Sequence, residues 1–312
     1  MSDANHSTPG PAPLDPGRIA DAARSQTAAA LARGAAALPS SSGVRRALGT
    51  TIGEFHGKTC ARGETLIQFE NIHKAFGDNV IYRDMNLDIR LGETLTIIGG
   101  SGEGKSVCLK LMIGLLRAEA GRVLYYGEDV GEMNAEQLRE IRMRVSMVFQ
   151  GGALFDSMTI VQNVGYALRE HTDMGDEEIE ARAVESLTLV GLGPADHPGI
   201  MEQIPAALSV GMRKRVALAR SIAQRPEVIL YDEPTTGLDP SNCNRIARMI
   251  RKLQRELGVT SIVVTHDMTT AWYVADRVAM LYDKSFPFVD EVEAFRAIDD
   301  PRVRNFIEGR TG

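Results

Sequence analysis

The chain lacks any run approaching about 20 uninterrupted apolar residues, so nothing in it reads as a membrane-spanning helix. It is also poor in cysteine: Cys60, Cys108 and Cys243 are scattered, with no C-x-x-C spacing and no histidine pairing. That excludes a disulfide framework and a cysteine-ligated metal, and the expected setting is reducing and cytosolic. Positive charge is not in excess, since 35 Lys and Arg face 41 Asp and Glu for a formal net charge of -6. A general nucleic-acid binder carries the opposite balance, so no nucleic-acid partner is expected. No repeat with a period of about 20 to 50 residues is present, which removes solenoids and propellers. No apolar stretch follows a basic start, which argues against a secretory signal.

What is present fits a globular α/β protein: 312 residues, 44% hydrophobic and 24% charged. Composition changes near residue 63. Before it lie "STPGPAPLDPG" and "AAALARGAAALPSSSG", poor in aromatic and β-branched residues. Residues 1–63 therefore read as a mobile extension, with at most a marginal Ala-rich helix over Asp15 to Leu38, broken by Gly34. Its Ala, Ser and Arg content keeps organelle targeting as a minority reading, against which Asp3, Asp15 and Asp21 count. The folded domain is expected over 64–308, with a short tail at 309–312.

Within that domain, short apolar runs alternate with helical patterns. "TLIQFENI", "NLDI", "TLTIIGG", "RVLYY", "RVSMVFQ", "EVILYDE" and "TSIVVTH" read as strands. Helices are expected over Lys105 to Leu116, Ala135 to Met143, Asp176 to Val190, Val210 to Gln224 and Ser241 to Leu257. This alternation predicts a mainly parallel sheet flanked by helices.

The strongest motif joins a strand, Thr94 to Ile98, to a helix through Gly99, Gly100, Ser101, Gly102, Glu103, Gly104, Lys105 and Ser106. It fits G-x-x-x-x-G-K-[ST] in the required strand–loop–helix context. Glycines let successive N–H groups turn inward as an anion nest, and the helix N-terminus adds partial positive charge. Lys105 is suited to β- and γ-phosphates, and the Ser106 hydroxyl to Mg²⁺. Further on, "EVILYDEP" delivers two carboxylates at a strand end, where α/β sheets place ligands. Asp232 suits the magnesium shell, and Glu233, leaving the strand at Pro234, suits a general base. His266, ending "TSIVVTH", and Gln150, ending "RVSMVFQ", reach the same rim. The first is suited to a phosphate oxygen or the attacking water, the second to Mg²⁺ or that water. Phe76 offers either core packing or a stacking platform for adenine.

A helix start in "ALSVGMRKRVALARS" poses a separate problem. Ser209 is a good N-cap, yet Arg213, Lys214 and Arg215 crowd the end where the helix dipole is already positive. That placement calls for an anion or reads as a solvated basic helix.

In order and spacing, these motifs resemble those of the ABC-transporter ATPases, over roughly Leu66 to Ile307. Phe76 is similar to the A-loop aromatic, Gly99 to Ser106 to Walker A, and Gln150 to the Q-loop glutamine. "LSVGM", with Ser209, Val210, Gly211 and Met212, resembles the signature. Val228 to Asp232 resembles Walker B, Glu233 its catalytic glutamate, Gly237-Leu238-Asp239 the D-loop, and His266 the switch histidine. The resemblance implies a P-loop NTPase of the ABC ATPase fold. Its parts would be a RecA-like core, an antiparallel β subdomain and a helical signature subdomain over about 151–222. It also implies ATP and Mg²⁺ as ligands, with two copies sandwiching two ATPs so that each signature helix meets its partner's γ-phosphate. That phosphate is then the expected anion.

"FQGGALFDSMTIVQNVGYALREH", "LSVGM" and "DPRVRNFIEG" together resemble the ATPases of the Mla/Mce lipid transporters, bacterial Mla and chloroplast TGD-type. This implies a polytopic MlaE-like permease, an MCE-domain substrate-binding protein, phospholipid or related cargo, and a peripheral place on the cytoplasmic face of the inner membrane. Gly151, Gly152, Ala153, Leu154 and Phe155 would receive a permease helix in a groove. Two departures stand out. Val210 replaces the signature's first glycine, which predicts an active but slower ATPase. Few residues follow Ile307, so the long C-terminal arm of some relatives is not expected. Competing readings are a motor for polar solutes, a soluble ABC ATPase acting on DNA or ribosomes, and a nucleotide sensor.

Overall fold

The computed structural model describes residues 45–47 and 50–309. The helix expected over Asp15 to Leu38, the targeting reading and most of the expected extension lie outside the described residues. In chain order the first elements are β1 (Arg45–Ala47), β2 (Thr50–Phe55), β3 (Lys58–Ala61), β4 (Thr65–Phe76), β5 (Asn79–Arg90) and β6 (Thr94–Gly99). Then come α1 (Lys105–Met112), β7 (Ala120–Tyr125), β8 (Glu128–Asp129), α2 (Ala135–Arg144) and β9 (Val145–Val148). The middle holds α3 (Ile160–His171), α4 (Asp176–Leu189), a 3₁₀ turn (Pro205–Ala207), α5 (Val210–Ala223) and β10 (Val228–Asp232). The chain continues through α6 (Pro240–Leu257), β11 (Thr260–Val264), α7 (Met268–Val274), β12 (Arg277–Tyr282), β13 (Ser285–Glu291), α8 (Val292–Arg296) and α9 (Pro301–Ile307).

The central sheet has the order β13-β12-β6-β11-β10-β9, parallel throughout except for the antiparallel edge strand β13. Every residue of β6, β10 and β11 is buried. That follows from helices covering both faces, which is why these strands read as continuous apolar runs rather than alternating ones. Their C-terminal ends carry Gly99, Asp232 and Val264, so the P-loop, the two carboxylates and the segment leading to His266 emerge on one edge. A second, antiparallel sheet, β5-β4-β7-β8, packs through Ile67, Phe69 and Leu87 into the cluster that also holds Ile97 and Leu109.

The boundary expected at residue 63 is too late. Strands β2 and β3 form an antiparallel hairpin that buries Phe55 and Cys60 in this same core. Gly53 makes the approach feasible, because a Cβ there would lie 1.8 Å from the Tyr126 hydroxyl and 2.4 Å from Glu227 Oε1. Beneath it, Tyr125 and Tyr126 donate hydroxyl hydrogen bonds to the buried Glu227, whose carboxyl burial pushes up in pKa. His56, at the hairpin turn, sits between Glu128 at 2.9 Å and Glu140 at 3.1 Å. The hairpin is short, charged and Gly-interrupted, and so gave a linker-like signal.

Other elements follow the sequence closely. The first helix ends at Met112 rather than Leu116, where Gly114 takes a positive φ of 61° against Leu138. Helix α6 starts at Pro240 under the Asp239 cap and stops at Gly258, in the left-handed region. Helix α3 was not expected, although Thr159 and Gln162 form a capping box at its start. Helix α7 follows His266, where a new helix was expected, whereas strands β12 and β13 and helices α8 and α9 were not expected. Between β9 and β10, helices α3, α4 and α5 share one apolar cluster with Ile229, Tyr231 and Val263 of the sheet. All three cysteines are free, and burial raises each thiol pKa, that of Cys60 to about 11.

Candidate functional site

The P-loop leaves β6 at Gly99 and turns through positive φ at Gly102 and Gly104, the latter capping α1. Gly104 is pinned from behind: the Tyr82 hydroxyl donates to its carbonyl at 2.6 Å, and Ile81 Cγ2 would lie 2.4 Å from any Cβ there. Tyr82, fully buried on β5, was not singled out from sequence, since its phenol is indistinguishable there from a core aromatic. Glu103 turns its carboxylate back to accept the Gly100 N–H at 2.8 Å, stapling the loop. Lys105 is buried, and its Nζ donates to the carbonyls of Gly99 at 2.9 Å and Gly100 at 2.8 Å. Burial lowers its pKa, while Glu233, Glu103 and Asp232 oppose the shift. The ammonium is thus held at the loop with exchangeable partners. Ser101 and Gly102 complete the exposed and half-buried rim.

Ser106 Oγ donates to Asp232 Oδ1 at 2.6 Å, joining the two candidate Mg²⁺ ligands across α1 and β10. Two hard oxygen donors converging beside a phosphate nest fit magnesium. Glu233 follows with φ of 49°, a left-handed conformation that costs a non-glycine residue about 1 kcal/mol or more. Its N–H still bonds Val264 O at 2.9 Å, so the bend is anchored to the neighbouring strand. Its Oε2 accepts from Thr236 Oγ1 at 3.1 Å and lies 2.8 Å from His266 Nδ1. The carboxylate is largely buried and the imidazole exposed, so the pair faces open space on the imidazole side. The structure thus brings Glu233 and His266 together on this rim.

Gln150 is exposed just past β9. Its carbonyl accepts from Lys214 on α5, and Arg220 on the same helix donates to Ala153 O at 2.8 Å and Gly152 O at 3.1 Å. Sequence reading missed this clamp, because cations that bond backbone carbonyls leave no pairing pattern. The three cations, which the sequence left either awaiting an anion or solvated, are engaged by backbone carbonyls. Arg213 donates to Leu208 O at 2.6 Å and Arg215 to Gly191 O at 3.0 Å, so all three are taken by carbonyls. The helix end itself is as expected: Ser209 caps α5 by accepting the Met212 N–H at 3.3 Å, and Val210 is its first residue, 46% exposed. Gly211 is covered by the side chain of Asn242, whose amide donates to the Asp239 carboxylate at 2.5 Å and lowers the Asp239 pKa. No hydrogen bond or ion pair joins Ser209, Val210, Gly211 or Met212 to the P-loop among the described residues.

Phe76 ends β4 and is 48% exposed as a residue, which removes the core-packing reading. In the segment after Gln150, Phe155 is exposed against Tyr166 at 4.6 Å, whereas Leu154 packs on the helical core. Asn163, fully buried, holds this segment by bonds to Phe155, Met158 and Thr159.

Residues 82–236 match the family described as ABC transporter. The chain is 41% identical over 244 residues to the probable ribonucleotide transport ATP-binding protein mkl of Mycobacterium leprae, covering 78% of this chain and 69% of that one. It is 36% identical over 244 residues to the intermembrane phospholipid transport system ATP-binding protein MlaF of Escherichia coli, covering 78% and 89%. Among solved structures, the dimeric ATP-binding cassette MJ0796, in a post-hydrolysis state with ADP and Pi, is similar at a TM-score of 0.66. There the identity is 30%, over 73% of this chain and 99% of that one.

Proposed function

The chain belongs to the ABC transporter ATPases, and on that premise we propose that it drives the movement of phospholipid or related apolar cargo between membranes. It binds and hydrolyses ATP as that family does, and it is of the MlaF and mkl type. The observation that carries the cargo assignment is the likeness to MlaF, which extends over 89% of that protein. The name of the mkl relative favours a second cargo, ribonucleotides. Purifying the chain with its membrane partners and analysing the bound small molecules by mass spectrometry separates the two. Enriched phospholipid supports the first reading, and ribonucleotide without phospholipid supports the second.

For hydrolysis, the loop from Gly99 to Ser106 receives the β- and γ-phosphates, and Lys105 exchanges the carbonyls of Gly99 and Gly100 for phosphate oxygens. Asp232, Ser106 and the Gln150 amide would hold Mg²⁺, which supplies positive charge against the phosphate oxygens when bound. Glu233 accepts the proton of the water that attacks the γ-phosphorus, and His266 orients that carboxylate and a γ-phosphate oxygen. Phe76 stacks on adenine. Ser209 and the N–H groups of Val210 and Gly211 serve ATP bound to a second copy, with Met212 behind them and Asp239 at the junction. The dimeric form of MJ0796 supports that arrangement.

A permease partner accompanies a subunit of this type; an MlaE-like permease and an MCE-domain protein are the finer assignment. No helix among the described residues is long and apolar enough to cross a membrane. Attachment through the permease would place the chain peripherally on the cytoplasmic face of the inner membrane. The domain reading that accompanies this function is a cassette running to about residue 308, with its signature subdomain over about 151–222.

A further inference from the structure

One face of the Phe76 ring is already covered. Lys74 Nζ lies 4.9 Å from the ring centroid, and the lysine is buried although charged. The ammonium is fixed by Glu119, the residue before β7. The Glu119 carboxylate accepts from Lys74 Nζ and from the Ala75 N–H at 2.9 Å, and its own N–H donates to His73 O at 2.9 Å. One residue thereby holds three successive positions, 73, 74 and 75, at the strand end that presents Phe76. Glu119 is half exposed, so as a bare ion pair the contact would contribute little. Its consequence is geometric, and the carboxylate pKa is lowered chiefly by Lys74.

We infer that Lys74, held by Glu119, is a positioning residue for Phe76 and sets how well the site holds the purine ring of its nucleotide. The inference rests on the nucleotide reading of the site. A cation over one face of an aromatic ring is attracted to its π density. It fixes the ring plane and draws that density towards itself, which leaves the opposite face less negative. An electron-rich purine stacks more readily on such a face. Lys74 and Glu119 belong to the strand end and not to the phosphate loop, so their effect falls on the base and leaves phosphate binding alone.

The test is equilibrium binding to the full chain, with ATP and inorganic tripolyphosphate as the two probes. Lys74→Met should weaken ATP about three- to tenfold and leave tripolyphosphate unchanged. Lys74→Arg should restore most of the loss. Phe76→Ala should weaken ATP at least as much, and adding Lys74→Met to it should cost nothing more. Equal weakening of both probes, an unchanged ATP affinity, or a loss that persists in the Phe76→Ala background would overturn the inference. Should Lys74→Met fail to fold, Glu119→Ala takes its place in the same comparison. If Phe76→Ala leaves ATP binding intact while Lys105→Ala abolishes it, the stacking role fails and the nucleotide site stands. If Lys105→Ala also leaves it intact, the nucleotide reading itself fails.

Discussion

Glu233 takes a backbone conformation that a residue of its kind rarely adopts, and its carboxylate is met by His266 at 2.8 Å. A side chain held this way at a strand end is placed for proton transfer rather than for packing. Replacing it by the nearly isosteric amide in Glu233→Gln should leave ATP affinity intact and cut hydrolysis by about 100-fold or more. Steady-state phosphate release beside nucleotide binding checks this, and wild-type turnover would remove Glu233 from the chemistry. Val210 is the first residue of α5 with ordinary backbone requirements, so its bulk, not its conformation, is what a second nucleotide meets. Val210→Gly should therefore hydrolyse ATP as fast as the wild type or faster, measured on the assembled transporter. Glu233 was legible from sequence because its motif couples a residue type to a strand end, and Val210 because it follows a capping serine at a helix start. Tyr82, Asn163 and Lys214 were not, since they act on backbone carbonyls that no side-chain pattern records.

At the scale of elements, the parallel strands and the helices that follow them were readable from apolar runs and caps, whereas the β2–β3 hairpin was not. Its sequence is polar, and its burial depends on Gly53 meeting Tyr126 and Glu227 from distant parts of the chain. His56 fastens its turn, with both ring nitrogens facing carboxylates, those of Glu128 and Glu140, while Lys58 and Arg144 stand beside them. The Glu128 hydrogen bond is the largest cause of a raised His56 pKa, with partial desolvation opposing it. A histidine raised on folding contributes stability fully below its unfolded pKa, and loses it as pH rises through the folded value. Protection of the β2 and β3 amides, taken as exchange relative to the intrinsic rate at each pH, should therefore be greater at about pH 6 than at about pH 8.5, and His56→Gln should remove that difference. In the segment after Gln150, the exposed Phe155 and the core-facing Leu154 have different duties. Phe155→Asp alone is the informative change: it should abolish capture of the permease while ATP binding by the isolated subunit survives. Capture at normal yield would show that the permease docks elsewhere.

Across the whole molecule, the site divides into two halves that one chain does not bring together. The P-loop, Asp232, Glu233 and His266 meet on the edge of the central sheet, while Ser209 to Met212 lie on the helical segment with no bond to them. In the proposed dimer a second copy would complete the arrangement, and the α5 clamp on Gln150, Gly152 and Ala153 ties that second surface to the segment proposed to meet the permease. ATP hydrolysis by this chain is proposed to move phospholipid. The direct measurement is transfer of a labelled phospholipid between two vesicle populations by the reconstituted transporter, run with wild-type chain and with Glu233→Gln. Transfer that needs ATP in the wild type and stops in Glu233→Gln, with ATP still bound, is the predicted result. Steady ATP turnover by the wild-type complex with no phospholipid moved would contradict it.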